Sequence, residues 1–258
     1  MAPEVIPGAS ARACPVGIVL PTDPANPALW NSVRMEPIVT ARDLAVGYGT
    51  EPVCSPATFT LERGQALFLV GVNGAGKSTL LRTACGLLPP LGGQLTVLGH
   101  TPDPRSTAFR TAVARDLGDE SFFPFLTVRE HLELVQLGHG ATADLEAVIT
   151  GLGLSAIAQA LPNRLSSGQR RRAVLASVLL RPRRLLVLDE PEQRLDHSTR
   201  VMLAGRLVAE REAGGTLLVV SHDPALVDAV ATHVLLVGED TRPLTVDEGV
   251  EAIEEGAL

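Results

Sequence analysis

Residues 71–79 read Gly-Val-Asn-Gly-Ala-Gly-Lys-Ser-Thr, and this stretch decides the fold. It follows the apolar run Ala66–Val70, which predicts a buried strand, and it precedes a helix predicted over Leu80–Leu87. A glycine-rich loop between a strand and a helix turns backbone N–H groups toward phosphate oxygens, and the helix start adds the positive end of its dipole. The stretch therefore predicts a phosphate-binding loop, or P-loop, in an α/β nucleotide-binding fold.

The composition sets Lys77 apart, because it is the only lysine among the 22 basic residues. A compact ammonium suits a phosphate cradle, and the planar guanidinium of arginine is not a substitute for it. We expect Lys77 to bind the β- and γ-phosphates of a nucleotide and the Ser78 hydroxyl to bind Mg²⁺. The nucleotide-binding residues predicted from the loop are Gly71, Asn73, Gly74, Ala75, Gly76, Lys77, Ser78 and Thr79.

A second candidate half of the site follows the apolar strand predicted over Leu185–Leu188, where Asp189 and Glu190 stand side by side. A carboxylate at the end of such a strand can hold the same Mg²⁺ that Ser78 touches, directly or through water. The next carboxylate can orient and deprotonate an attacking water. Asp189 is thus the predicted metal ligand, and Glu190 is the predicted general base.

The composition excludes several classes of protein. The 258 residues are 45% hydrophobic, which is enough to bury a core, and the net charge of −7 disfavours a nucleic-acid binder. Cys14, Cys54 and Cys85 are too few and too scattered for a disulfide framework or a metal cage, which indicates a reducing compartment. The apolar runs are too short to span a membrane, and the N-terminus lacks a basic signal region. We therefore expect a cytoplasmic protein.

The order of the predicted elements divides the chain into two parts. Residues 1–37 contain seven prolines without periodicity, which predicts an irregular extension that Trp30 and Met35 could pin to the core. From residue 38 onward strands alternate with helices, and the pattern turns helical at about 119–181, with Thr127 capping a helix from Val128. Further helices are predicted over Ala143–Thr150 and Arg170–Leu180. The other predicted strands are Val39–Val46, Ala57–Glu62, Gln94–Leu98, Leu217–Val220 and Val234–Val237.

Residues 165–169, Leu-Ser-Ser-Gly-Gln, precede the acidic strand and open a predicted helix. In isolation they predict an ordinary helix cap, although serine and glycine at a helix start also offer donors for a γ-phosphate. With the P-loop and the acidic strand in this order, the chain resembles the ATP-binding cassette (ABC) ATPases. The resemblance covers residues 38–258 and implies a RecA-like P-loop core, an N-terminal antiparallel β subdomain and an inserted helical subdomain. It also implies nucleotide binding by Ser166, Ser167, Gly168 and Gln169.

The resemblance extends to single residues elsewhere. Tyr48 stands where the family has an aromatic residue that stacks on adenine. A tyrosine that only packs over a turn would give the same sequence pattern. His222 is similar to the switch histidine of the family, which contacts the γ-phosphate and the catalytic carboxylate, so it is a predicted catalytic residue. Leu195 and Asp196 match the end of the family's D-loop, whereas the preceding Gln193 and Arg194 are bulkier than the residues usual there.

One departure concerns a glutamine that the family places at the edge of the helical subdomain, near Mg²⁺ and the attacking water. The corresponding position falls near Gly118, Asp119 or Glu120, and none of these is a glutamine. A carboxylate there could offer an oxygen to the metal but would also repel the triphosphate. The departure bears on turnover and coupling and leaves the predicted nucleotide site intact.

The resemblance implies a mechanism and partners. Two subunits, in a homodimer or a heterodimer, would sandwich ATP and Mg²⁺ between the P-loop of one and the Ser166–Gly168 turn of the other. Separate membrane permease subunits would carry the substrate, holding this chain at the inner face of the membrane, and nucleic acid is not expected. Residues 122–125, Phe-Phe-Pro-Phe, fit a docking surface and a small satellite core equally well. The run Leu126–Glu130 and the lack of an added C-terminal domain favour export.

Two alternatives stay open at this point. The first is a soluble ABC ATPase acting on ribosomes or DNA, supported by the three arginines at 170–172, although such a run usually forms a solvated helix face. The second is a regulatory cassette that binds ATP and barely hydrolyses it, suggested by the missing glutamine.

Overall fold

The structure, a computed structural model, describes residues 36–118 and 122–256. Almost all of the predicted extension lies outside these ranges, as do Trp30 and Met35, Cys14, and Asp119 and Glu120 at the glutamine position. None of the helices in the described ranges is long and apolar enough to cross a membrane.

The strands of the described residues are β1 (Val39–Ala45), β2 (Gly47–Tyr48), β3 (Glu51–Pro52), β4 (Ala57–Leu61), β5 (Ala66–Val70), β6 (Gly92–Val97), β7 (Val113–Asp116), β8 (Leu185–Asp189), β9 (Thr216–Val220), β10 (His233–Leu236) and β11 (Arg242–Leu244). The α-helices are α1 (Lys77–Ala84), α2 (Thr107–Ala112), α3 (Val128–His139), α4 (Leu145–Gly151), α5 (Ser167–Leu180), α6 (His197–Glu212), α7 (Pro224–Val230) and α8 (Val246–Glu254). Two short 3₁₀ turns, Ser155–Ile157 and Pro162–Arg164, connect α4 to α5.

The main sheet has six strands in the order β11-β10-β5-β9-β8-β7, and all neighbours are parallel except β10 and β11. Strands β5 and β9 are buried along their whole length. Leu67 and Leu69 face the cluster that contains α1, whereas Phe68 and Val70 face the cluster that contains α5. Burial on both faces explains the unbroken apolar runs in the sequence and confirms the predicted parallel core.

The N-terminal sheet has the order β4-β1-β6, and both pairings are antiparallel, as the resemblance implied. Its residues Val39, Leu44 and Leu61 belong to the cluster that also contains α1. The hairpin of β2 and β3 follows β1 directly. The small sheet therefore covers the α1 side of the main sheet.

The helical stretch between β7 and β8 holds α3, α4 and α5. Helix α3 begins after a capping box of Thr127 and Glu130, as predicted, and Asp144 caps α4 with two backbone N–H contacts. Helix α5 is buried along Ala173–Leu180, which extends the core beneath the sheet. Phe122 packs against this core, whereas Phe123 and Phe125 are 56% and 89% exposed, so the aromatic run divides between satellite core and surface.

The predicted strands agree with the structure to within about two residues, and the predicted helix after the P-loop was placed too late. Helix α1 begins at Lys77 and ends at Ala84, since Gly86 adopts a left-handed backbone conformation that terminates it. The predicted helix Arg170–Leu180 begins earlier, at Ser167, because Ser166 caps it. Strand β7, with the sequence Val-Ala-Arg-Asp, was not predicted because its charged residues break the apolar pattern.

Candidate functional site

The P-loop connects the end of β5 to the start of α1. Gly76 precedes the helix in a left-handed conformation, with φ 99°, and no described side chain caps the first turn. Uncapped N–H groups at a helix start bind anions, because they lack intrahelical acceptors and carry the positive end of the helix dipole. The loop geometry therefore fits the triphosphate of ATP.

Two glycines of the loop are required by close contacts, one with a backbone carbonyl group and one with a side chain. A Cβ atom on Gly71 would lie 2.3 Å from the carbonyl oxygen of Val237, and Gly71 has φ 149°. A Cβ atom on Gly76 would lie 2.7 Å from Val53 Cγ2, so the segment after β3 packs against the loop. Only glycine fits either position without displacing a neighbour.

Lys77 is buried, with 6% of its surface exposed, and its ammonium donates to the carbonyl oxygens of Gly71 (2.6 Å) and Val72 (2.9 Å). Burial lowers the pKa of Lys77, and the nearby carboxylates of Glu190 and Asp189 oppose that change. An ammonium has a third donor, which can bind a phosphate oxygen. The structure thus brings Lys77 together with both predicted carboxylates.

The other predicted loop residues have different surroundings. Asn73 lines a cavity of about 430 Å³ together with Glu190 and His222. Gly74 is exposed, with φ 84°, whereas Ala75 and Thr79 are buried in the base of the loop and the first turn of α1. The loop therefore presents its backbone and Asn73 outward and anchors itself with Ala75 and Thr79.

Ser78 and Asp189 are the residues that could hold Mg²⁺, and both line a cavity of about 460 Å³. The Oδ1 atom of Asp189 is buried without a hydrogen-bond partner among the described residues. Burial raises the pKa of Asp189, and the Ser78 hydroxyl opposes that change. A carboxylate oxygen and a hydroxyl are donors that Mg²⁺ prefers, so the residues present fit the ion.

Glu190 lies at the boundary between these two cavities and lines both. Its backbone has φ 48°, a left-handed conformation that strains a residue with a side chain, and its N–H donates to the Val220 carbonyl at 2.9 Å. His222 Nε2 lies 3.5 Å from Glu190 Oε1. Burial, followed by the charge of Lys77, lowers the pKa of His222, which keeps the imidazole neutral at pH 7. The structure thus brings the two predicted catalytic residues side by side.

Glu192 is a buried residue beside the candidate site that sequence reasoning missed. It is 6% exposed, and its Oε1 atom accepts hydrogen bonds from the Ser221 hydroxyl (2.7 Å) and the His222 N–H (3.0 Å). Burial raises the pKa of Glu192, because these neutral donors compensate its charge only in part. Glu192 therefore ties the loop after β8 to the backbone of His222. Its signal in the sequence was an acidic residue directly after the Asp-Glu-Pro motif.

Three of the four predicted signature residues, Ser166, Gly168 and Gln169, do not line the cavities at the P-loop within the protomer. Ser166 and Gln169 form a capping box at the start of α5, with the Gln169 side chain accepting the Ser166 N–H at 2.9 Å. Ser167 lines the cavity of Ser78 and Asp189, whereas Ser166, Gly168 and Gln169 line a separate cavity of about 130 Å³. A nucleotide contact by these three residues therefore requires a ligand outside the protomer's own P-loop.

The D-loop packs against the signature turn. A Cβ atom on Gly168 would lie 2.9 Å from the Arg194 carbonyl oxygen, and Arg194 itself has a left-handed φ of 62°. Asp196 caps α6, and its hydrogen bonds with the backbone and hydroxyl of Thr199 lower the pKa of Asp196 to about 2. The bulky Gln193 and Arg194 side chains are exposed, so the turn accommodates them without repacking the core.

Tyr48 lies in the β2–β3 hairpin opposite Glu51 and is 61% exposed. An exposed ring is available for stacking, and the segment after the hairpin touches Gly76 of the P-loop.

Of the three residues near the glutamine position, only Gly118 is described; it lines the cavity of Ser78 and Asp189, with φ 76°. That Asp119 or Glu120 could offer an oxygen to the metal therefore stays a prediction.

The three arginines at 170–172 form only in part the solvated face expected of such a run, since Arg170 is exposed but Arg171 and Arg172 are partly buried. Arg170 donates to the Pro162 carbonyl at 2.6 Å and lies over the Phe122 ring at 6.0 Å. Arg171 is bound to Asp116, and its side chain is 12% exposed. Two of the three guanidinium groups are thus engaged within the fold.

Comparisons with known proteins agree with this geometry. A family model described as ABC transporter matches residues 54–193. The thiamine import ATP-binding protein ThiQ of Cereibacter sphaeroides is 38% identical over 184 residues, which cover 68% of this chain and 78% of that protein. The cytochrome c biogenesis ATP-binding export protein CcmA of Ruegeria pomeroyi is 35% identical over 211 residues, covering 81% and 96%. A solved structure titled as the ATP-binding subunit of an ABC transporter superposes with a TM-score of 0.74 at 24% identity, covering 85% of this chain and 93% of that one.

Proposed function

Because the chain belongs to the ABC transporter family and is an ATP-binding ATPase subunit that uses Mg²⁺, we propose that it hydrolyses ATP at the site around Lys77 and Glu190. One observation carries the proposal: the P-loop, Asp189, Glu190 and His222 meet at the same edge of the main sheet. The ends of parallel strands are where such sheets bind ligands. We propose further that hydrolysis moves a substrate through separate membrane permease subunits.

Nucleotide binding is assigned to the loop and its lysine. The backbone of residues 71–79 cradles the phosphates, Lys77 balances their charge, and Tyr48 stacks on the adenine base. Ser78 and Asp189 would hold Mg²⁺, which when bound neutralises charge on the phosphate oxygens. The unpartnered Oδ1 atom of Asp189 supports this assignment.

The catalytic step is assigned to Glu190 and His222. Glu190 orients the attacking water and accepts its proton, a role that is typically worth about 10²- to 10⁴-fold in rate. The neutral imidazole of His222, beside the Glu190 carboxylate, positions that carboxylate and contacts the γ-phosphate. Glu192 holds the His222 backbone in place.

A second ATPase subunit completes the site in this proposal. Ser166, Gly168 and Gln169 line a separate cavity from Ser78, and they would bind the nucleotide held by the P-loop of the partner. Each of the two ATP molecules would then contact one P-loop and one signature turn.

We keep export as the proposed direction, as the sequence predicts. One relative above is named for import and the other for export, so the comparisons favour neither direction. A low-turnover regulatory cassette is the second candidate function, favoured by the missing glutamine. Nucleotide-dependent dimerisation of the wild type without turnover would support that candidate.

Steady-state ATP hydrolysis by the full chain tests the proposal. We expect Glu190→Gln to lower kcat by about 10²-fold or more, because the amide cannot accept the proton of the water. Glu212→Gln at the exposed end of α6 makes the same chemical change away from the site and should keep wild-type activity. Equal rates for Glu190→Gln and wild type would refute the assignment of the base.

A further inference from the structure

The side chain of Arg171, in the first turns of α5, binds the backbone of three consecutive residues at the end of β8. Its Nη2 atom donates to the carbonyl oxygens of Glu190 (3.0 Å) and Asp189 (3.4 Å), and its Nε atom donates to that of Pro191 (3.3 Å). These residues include the proposed metal ligand and the proposed base. One guanidinium therefore holds the segment on which hydrolysis depends.

Asp116, at the end of β7, fixes the other edge of the same guanidinium. Its Oδ2 atom accepts a hydrogen bond from Arg171 Nη1 at 2.6 Å, and its side chain is fully buried. Its Oδ1 atom accepts the N–H of Gly118 at 3.1 Å, so both carboxylate oxygens have partners. A buried carboxylate with this geometry orients the guanidinium and compensates its charge.

Glu190 needs such a restraint because its backbone is strained. Its left-handed φ of 48° is unfavourable for a residue with a Cβ atom and persists only where neighbouring contacts impose it. The N–H of Glu190 donates to Val220 on one side, and its carbonyl oxygen accepts from Arg171 on the other. These two hydrogen bonds fix the peptide groups on both sides of the strained residue.

We propose that Arg171 is a positioning residue that, together with Asp116, holds Glu190 in its productive orientation and links it to the signature turn on the same helix. The inference rests on the proposed function of Glu190. Arg171 lies five residues after Ser166, so a movement of the helix start displaces the guanidinium and the carbonyl oxygens bound to it. The state of the signature turn is thereby transmitted to the base within one protomer.

The chain offers a matched control at the other end of α5. Arg183 binds Glu210 through Nε (2.9 Å) and Nη2 (2.5 Å), and its Nη1 donates to three backbone carbonyl oxygens, those of Val178, Leu179 and Arg181. Its side chain is 11% exposed, close to the 12% of Arg171. The two arginines share chemistry and burial and lie near opposite ends of α5, but only Arg171 binds the segment of Glu190.

The experiment measures kcat, the KM for ATP and the urea unfolding midpoint of the full chain for Arg171→Gln and Arg183→Gln. We expect Arg171→Gln to lower kcat by about 10- to 100-fold, because a misplaced catalytic group costs that much, while KM changes less than about threefold. Arg183→Gln should lower the unfolding midpoint but keep kcat. A wild-type kcat for Arg171→Gln, or equal losses in the two variants, would overturn the proposal.

Two further variants keep the test decisive if Arg171→Gln unfolds. The first is Arg171→Lys, which retains a positive charge for Asp116 but cannot bind three carbonyl oxygens in a fixed fork. The second is the double variant Arg171→Gln/Asp116→Asn, which leaves no unpaired charge buried at this site. Both should fold and still show kcat lowered by about fivefold or more; wild-type kcat in either refutes the positioning role. If Glu190→Gln hydrolyses ATP like wild type, the proposed role of Glu190 is wrong. This result is distinct from a wild-type kcat in the Arg171 variants, which would refute only the positioning role of Arg171.

Discussion

The two ends of α5 carry the same interaction with different consequences. At the start of the helix, Arg171 binds one carboxylate and three backbone carbonyl oxygens, and beyond its end Arg183 does the same. Arg183 satisfies carbonyl groups of its own helix terminus and ties it to α6 through Glu210. Arg171 reaches across to β7 and to the segment after β8.

The difference shows that the acceptors, not the arginine, decide what such a contact does. Carbonyl groups at a helix end need any donor, so Arg183 stabilises the fold. In the proposed function the side chain of Glu190 points at the attacking water, so the same hydrogen bond would set the geometry of catalysis. The burial and charge of the two arginine side chains alone would not separate the two sites.

The largest effect on nucleotide binding should come from placing a guanidinium where the chain has its only lysine. Lys77 is enclosed by the carbonyl oxygens of Gly71 and Val72, and a planar fork at this position would displace the loop. We expect Lys77→Arg to weaken ATP binding by about 100-fold, measured with a fluorescent ATP analogue. Arg183→Lys, the reverse exchange away from the nucleotide, should leave the affinity unchanged. Wild-type affinity for Lys77→Arg would show that any cation suffices.

Removing the carboxylate partner at each end of α5 should separate the two pairs by stability. Asp116→Asn leaves the buried Arg171 charge uncompensated and should lower the free energy of unfolding by about 3–5 kcal/mol. Glu210 is 22% exposed, so water can solvate Arg183 in Glu210→Gln, and we expect a cost of about 1–2 kcal/mol. Urea denaturation of both variants measures the difference. Equal costs would mean that the difference in burial between the Asp116 and Glu210 carboxylates does not decide how much each pair stabilises the fold.

The smallest effect concerns Glu192, a buried carboxylate that has no arginine partner among the described residues. Its raised pKa means that the folded state binds the proton more tightly than the unfolded state. The stability that Glu192 contributes is therefore full below its ordinary pKa of 4.5 and is lost as the pH rises through the folded-state pKa. Glu192→Gln keeps an acceptor for Ser221 and His222 without the charge.

Urea unfolding of wild type and Glu192→Gln at several pH values measures this dependence. We expect the stability of wild type relative to Glu192→Gln to fall as the pH rises from about 4 to 8. The comparison between the two proteins removes the contribution of His222, which both contain. A difference that stays constant or grows with pH would contradict the assignment.

The sequence was sufficient for the parts of the site that depend on local pattern. The P-loop, the acidic strand end and the cap at Thr127 follow from residue types at fixed spacing, and the fold confirms the parallel core that they predicted. Strands β5, β9 and β8 are parallel neighbours that end at the same edge of the sheet. The residues that follow them therefore meet in space: Lys77, Ser78, Asp189, Glu190 and His222.

The contacts made by Arg171 and Glu192 could not be predicted, because they depend on tertiary neighbours. Arg171 belongs to a run of three arginines that resembles a solvated helix face, and its partner Asp116 ends a strand too short and too charged to be predicted. Glu192 becomes significant only through its contacts with Ser221 and His222, about thirty residues later in the chain. In each case a charged residue in the core was missed, since its partner is distant in sequence.

The central claim is that Glu190, whose backbone is held by Arg171, is the base in the hydrolysis of ATP. Single-turnover cleavage of γ-labelled ATP, with protein in excess over nucleotide, tests it without interference from product release. The account predicts that wild type cleaves its bound ATP, whereas Glu190→Gln binds ATP with similar affinity and retains it uncleaved about 100-fold longer. Cleavage at the same rate by both proteins would contradict it.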